Sequence, residues 1–173
     1  DVARARAARD RALERLAQST GLEVSLVYLD RKGSLQMMGC RGLSPRLVDR
    51  LPATASRETG IIGTIFKNGK PIVVEDLPAY PGSDLNYLTP GGYRSFAGVP
   101  LMIVAESIGV LGVATSFAHY FSQANIELLT GIGREIAIAV RNAQLYEEAS
   151  SARALRELDA MRTEFLANVS HEL

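Results

Sequence analysis

The feature that most constrains this chain is its C-terminal run from Gln123 to Leu173, which contains no proline. Without a ring to break the i→i−4 ladder, the run can form one helix of about 50 residues, about 75 Å long at 1.5 Å per residue. Ser122 stands where an N-cap belongs. A helix that long must project beyond any domain of ordinary size.

The two halves of the run differ. The first carries a broad apolar surface, with Leu129, Ile132, Ile136, Ala139 and Ala143 beside Ile126, Ala137 and Val140, wide enough to cover a sheet and touch a second helix. Gly131 and Gly133 interrupt it, each costing about 1 kcal/mol against Ala, and are expected where the helix approaches the sheet or another helix closely. Beyond Leu145 the apolar positions Ala149, Ala152, Leu155, Leu158, Met161 and Phe165 fall three or four apart, the mark of a two-helix seam. Ala152, Leu155, Leu158 and Met161 are separated by three each, a phase slip that disturbs a left-handed supercoil. A second copy of the chain is the expected partner.

Upstream the pattern is mixed. Asp1 to Ser19 lacks Gly and Pro and places Ala5, Ala8, Ala12 and Leu16 on one stripe, which predicts an amphipathic helix ended by Gly21. Leu22 to Leu29 alternates as a strand, Asp30, Lys32 and Gly33 supply a turn, and Ser34 to Cys40 returns. Ser44-Pro45 opens a short helix to about Leu51, and residues 52–59 are irregular. Gly60 to Lys67 is helical until Gly69, and Pro71 to Val74 is a short strand. Glu75 to Tyr93 holds Pro78, Pro81, Gly82, Pro90, Gly91 and Gly92 with Tyr80, Tyr87 and Tyr93, a long loop of the kind used as a lid. Phe96 to Val104 and Ile108 to Thr115 predict a buried antiparallel pair at the sheet centre.

Nineteen basic residues balance 19 acidic ones, which argues against a nucleic-acid-binding face. Cys40 is the only cysteine, so an internal disulfide is excluded and a reducing, cytoplasmic setting is expected. No stretch approaches the roughly 20 apolar residues of a membrane span, and no membrane contact is expected.

Two stretches carry a family resemblance. Gly60-Ile61-Ile62-Gly63, then Gly69-Lys70-Pro71-Ile72-Val73-Val74-Glu75-Asp76, Ser95 to Leu101, Ile108 to Thr115, and Ile136-Ala137-Ile138-Ala139 in the last helix resemble the GAF domain's sequence run. Phe165-Leu166-Ala167-Asn168-Val169-Ser170-His171-Glu172-Leu173 resembles the phosphoacceptor box of histidine kinases. The second resemblance implies that His171 is the phosphoacceptor, since a neutral imidazole carries a lone pair able to attack the γ-phosphorus of ATP. It implies Glu172 as the acid/base partner of that ring. It also implies a parent protein using ATP and Mg and passing phosphate to a response regulator. The family continues past this box with Arg-Thr-Pro and an ATP-binding domain, and no Gly-rich phosphate loop occurs in these 173 residues, which are expected to be inactive alone.

Members of the GAF family bind cyclic nucleotides, bilins, haem, other small molecules or nothing. The cyclic-nucleotide signature is not recognisable, and Cys40 precedes Arg41 rather than the His of bilin-binding members. His119 reads as a surface loop residue rather than a haem ligand, and a single thiol speaks against the reductases that share this fold. No cofactor is therefore expected in these residues. Tyr28, Met38, Cys40, Phe66, Tyr87, Tyr93 and Phe96 are the candidate walls of a small-molecule pocket.

The expected architecture is an α/β (α+β) fold with a central antiparallel sheet, helices on both faces, an N-terminal helix and a long C-terminal signalling helix. Its segments are residues 1–20 (first helix), 21–146 (sensory domain) and 147–173 (signalling coiled coil entering the phosphoacceptor domain). The expected function is sensing of a small molecule and relay to His171 in a homodimer formed by the terminal helices. The alternative is a dimerisation module without a ligand.

Overall fold

A computed structural model describes residues 2–80 and 83–172. Pro81 and Gly82 of the expected lid, Leu173 of the phosphoacceptor box, and the side chains of Ala5 and Leu16 in the first helix's stripe lie outside the described residues.

The elements are α1 (Val2–Thr20), β1 (Val24–Arg31), β2 (Ser34–Arg41), α2 (Pro45–Val48), β3 (Thr54–Ala55), α3 (Gly60–Asn68), β4 (Ile72–Val74), β5 (Ser95–Ile103), β6 (Glu106–Thr115) and α4 (Gln123–Glu172). Two 3-10 segments, Leu77–Ala79 and Asn86–Gly91, order the expected lid. The strands form one six-stranded sheet in the order β3-β2-β1-β6-β5-β4, and every neighbouring pair is antiparallel. β5 and β6 pair and are buried along nearly their whole length, as their unbroken apolar runs require, but the centre of the sheet is β1 with β6, and β5, expected at the centre, is second from the edge with only β4 outside it.

The sheet separates two cores by strand alternation. On one face Val27, Leu29, Val99, Leu101, Leu111 and Val113 pack against Leu13 of α1 and Leu129, Ile136, Ala137 and Val140 of α4. On the other, Leu26, Tyr28, Phe96 and Val110 pack against Ile62, Ile65 and Phe66 of α3 and Leu77, Leu85 and Leu88 of the lid. Gly98 and Gly112 face each other across β5 and β6; a side chain on Gly112 would collide with the Phe96 ring, and one on Gly98 with Ile65 while crowding the same ring. The glycine pair makes the dimple in which that ring, with Ile65, is seated.

Helix ends follow local chemistry. Ser122 and Asn125 cap α4 reciprocally: the Asn125 N–H donates to Ser122 Oγ at 3.2 Å, and the Ser122 N–H to Asn125 Oδ1 at 2.8 Å. Gly69, with φ of 64°, stops α3 and donates its N–H to the Ile65 carbonyl. Gly133 lies over Val99 and the Pro100 carbonyl, the expected close approach, whereas Gly131 opens onto free space.

Three local readings are corrected. β1 begins at Val24 rather than Leu22, which lies in the other core from Val24, Leu26 and Tyr28. Residues 52–59 include the two-residue edge strand β3. α2 ends at Val48, short of Leu51.

Candidate functional site

Six of the seven residues expected to wall a pocket converge on the lid-side core. Tyr28, Phe66, Tyr93 and Phe96 are buried there, with Cys40 and Tyr87 partly buried against them. Met38 does not join them. The β1–β2 register pairs Val27 with Gly39 and Tyr28 with Met37, so Met38 is the residue skipped at a bulge and packs against the helix-side core.

The lid-side core is apolar and filled, but a polar spot is set into it. The Tyr28 hydroxyl donates to the Pro52 carbonyl at 3.3 Å. The buried Tyr87 hydroxyl has the Tyr28 hydroxyl as its polar neighbour, and the buried Thr89 Oγ1 completes no hydrogen bond. Burial pushes the Tyr87 phenol far above its ordinary value, and the neighbouring Tyr28 phenol and Asp84 carboxylate add to the effect. Burial likewise raises Tyr28. Desolvation raises the Cys40 thiol, with Arg9 pulling weakly the other way, so Cys40 is held as a thiol rather than activated as a nucleophile.

Asp84 was not legible as a site residue. Its carboxylate accepts the Ile61 N–H at 3.0 and 3.1 Å, capping α3 in place of Thr59, which makes no side-chain cap. It thereby ties the lid to α3 across 23 positions of sequence. Arg57 lies over the Phe66 ring at 5.3 Å from its centroid. His119 sits in the loop before α4, its Nδ1 3.2 Å from a Glu75 carboxylate oxygen, where both side chains are exposed.

His171 and Glu172 lie in the last turn of α4, both exposed. Every described residue from Leu145 onward is exposed, so the imidazole stands at the end of a bare helix, about 40 Å from the turn where α4 leaves the sheet. Adjacent helical side chains diverge by about 100°, so Glu172 does not face the His171 ring.

A six-stranded antiparallel sheet with both terminal helices on one face and a short helix and lid on the other defines an α+β module. A family model described as "GAF domain" matches residues 5–141, and the chain belongs to the GAF family. Solved structures agree on the fold. A GAF domain/HD domain protein from Geobacter sulfurreducens is 14% identical with a TM-score of 0.71, covering 82% of this chain and 94% of that one. A domain from a Sinorhizobium meliloti 1021 protein described as a two-component sensor histidine kinase is 18% identical with a TM-score of 0.65, covering 84% and 93%. A type II free methionine-R-sulfoxide reductase from Thermoplasma acidophilum is 16% identical with a TM-score of 0.68, covering 80% and 92%.

Proposed function

We propose that this chain is the sensory and dimerising segment of a cytoplasmic two-component sensor histidine kinase, with the GAF domain biasing the packing of α4 and α4 carrying that bias to His171. The observation behind this reading is continuity: α4 runs without a break from turns buried against the sheet at Leu129, Ile136 and Val140 to the phosphoacceptor-like box at its end. The similarity to a sensor-kinase domain supports it.

In the proposed chemistry the His171 imidazole lone pair attacks the γ-phosphorus of ATP, forming an N–P bond as ADP departs, and Glu172 accepts the ring proton. Because Glu172 lies about 100° round the helix from His171, it takes the proton of the ring nitrogen opposite the attacking one through a bridging water. ATP and Mg come from the ATP-binding region of the parent protein, and a response regulator receives the phosphate.

The lid-side polar spot supports a small-molecule ligand, since the buried Thr89 hydroxyl completes no hydrogen bond and the Tyr28 and Tyr87 hydroxyls lie in the same core. The filled aromatic core supports the second reading, a GAF domain that dimerises α1 and α4 without a ligand. Native mass spectrometry of the purified chain separates them: a dimer with added mass supports the liganded sensor, and a bare dimer the dimerisation module. The kinase assignment is tested in the full-length protein incubated with ATP and Mg. His171→Gln should abolish acid-labile phosphorylation, and labelling that persists in that variant overturns the assignment.

A further inference from the structure

On the helix side of the sheet, where α4 leaves the domain, a cavity of about 290 Å³ lies between α1, α4 and the β1–β2 hairpin. Its cationic wall is Arg6 and Arg9 of α1 with Arg31 at the end of β1. Arg9 is only 9% exposed. Its guanidinium donates to Asp10 Oδ1 from Nε at 2.9 Å and Nη2 at 2.7 Å, and Nη1 donates to the Met38 carbonyl at the β-bulge. A side chain at Gly39 would press on this guanidinium, so the bulge and the glycine together make room for it. Arg6 and Arg31 have no ion-pair partner among the described residues. Arg9 is committed to Asp10 and the Met38 carbonyl, so Arg6 and Arg31 are the lining cations left for a ligand, and Glu147 on α4 is the one carboxylate of the lining.

Leu29 and Met38 with Val140 and Ala143 of α4 form an apolar wall, and Gln144 adds one amide beside it. A planar guanidinium fork prefers carboxylate oxygens in bidentate geometry, and an apolar wall beside it selects a ligand with a hydrocarbon body. The volume sits at the lower end for ligand pockets, which selects a small ligand. We propose that this cavity binds small organic carboxylic acids with an apolar body. Occupancy bridges α1 to α4 at the turn from which α4 projects. The site is on the opposite face from the lid-side core and does not depend on the role of His171.

Isothermal titration of the purified chain tests it, with benzoate and hexanoate as probes and benzamide and inorganic phosphate as controls. The carboxylates should bind saturably, one per chain, and benzamide and phosphate should bind at least about tenfold more weakly. Arg31→Ala, at an exposed position, should weaken benzoate binding by about tenfold with an unchanged melting temperature. Ala143→Leu, which fills the cavity, should abolish binding, and Tyr87→Phe on the other face should leave it unaltered. Four results overturn the proposal: no saturable carboxylate binding, benzamide binding as tightly as benzoate, phosphate binding as tightly as benzoate, or Arg31→Ala binding with undiminished affinity. Loss of binding in Tyr87→Phe would also overturn it by placing the ligand in the lid-side core.

Discussion

Between Gln123 and Val140, α4 presents buried positions to the sheet at the spacing of an amphipathic helix, whereas from Leu145 to Glu172 the same helix has no buried residue. The first part is held by the core it helps to make. The second has no such support, although Leu155, Leu158, Met161 and Phe165 are each about two-thirds exposed along it. Helices in proteins owe most of their stability to packing of an apolar face. The comparison teaches that one continuous helix serves as structure at one end and as an unfilled seam at the other, which is the arrangement a relay through a second copy requires.

The sharpest way to break that comparison is truncation of matched residues. Ile136→Ala should cost about 2–5 kcal/mol in urea unfolding. Leu158→Ala should stay within about 0.5 kcal/mol when the chain is monomeric, and should instead weaken dimerisation in analytical ultracentrifugation. Equal losses in urea would mean that the projecting half is packed after all.

Inserting one alanine after Leu155 turns everything downstream by about 100°. The expected outcome is an unchanged melting temperature for the domain and an altered kinase output in the full-length protein. Unchanged output would remove the proposed transmission along the helix.

Alkaline titration acts mainly on the body, because the projecting half holds a single tyrosine, Tyr146, at its start. Tyr28 and Tyr87 are both raised by burial. A folded-state phenol held above its unfolded value keeps its full stabilisation below the ordinary tyrosine value of about 10, and loses it as pH climbs from there. The body should therefore lose stability above about pH 10 by thermal melts, and Tyr87→Phe should blunt that loss. At neutral pH the same variant should stay within about 1 kcal/mol of the parent, because the desolvation of a buried hydroxyl is removed together with its interaction with Tyr28.

The smallest effect is at Gly131. Nothing lies where its side chain would be, so Gly131→Ala should stabilise by up to about 1 kcal/mol, read from urea unfolding. A loss instead would show that this surface is covered by another chain.

Much of the architecture was legible because it rests on strong local signals. The proline-free run and Ser122 set α4, Gly69 stopped α3, and the two apolar runs gave β5 and β6. The misses arise where position in space overrides local pattern. A bulge between Val27 and Tyr28 turned Met38 to the other face, and nothing in the residues around it marks an extra position. Asp84 caps a helix far away in sequence, and Arg9 is buried within an arginine-rich segment whose other arginines look the same on paper. Of the pocket residues, those set by strand alternation, Tyr28 and Phe96, were the most readable. The lid's unpaired Thr89 hydroxyl required coordinates.

The sheet's two outer strands also decide how copies of this chain can associate. β3 is two residues long and β4 three, at opposite borders of the sheet. Neither offers a length of free backbone on which a neighbour's strand could continue the ladder, so the sheet resists fibrous growth. The helix pairing proposed above would by contrast be closed, stopping at a defined number of chains.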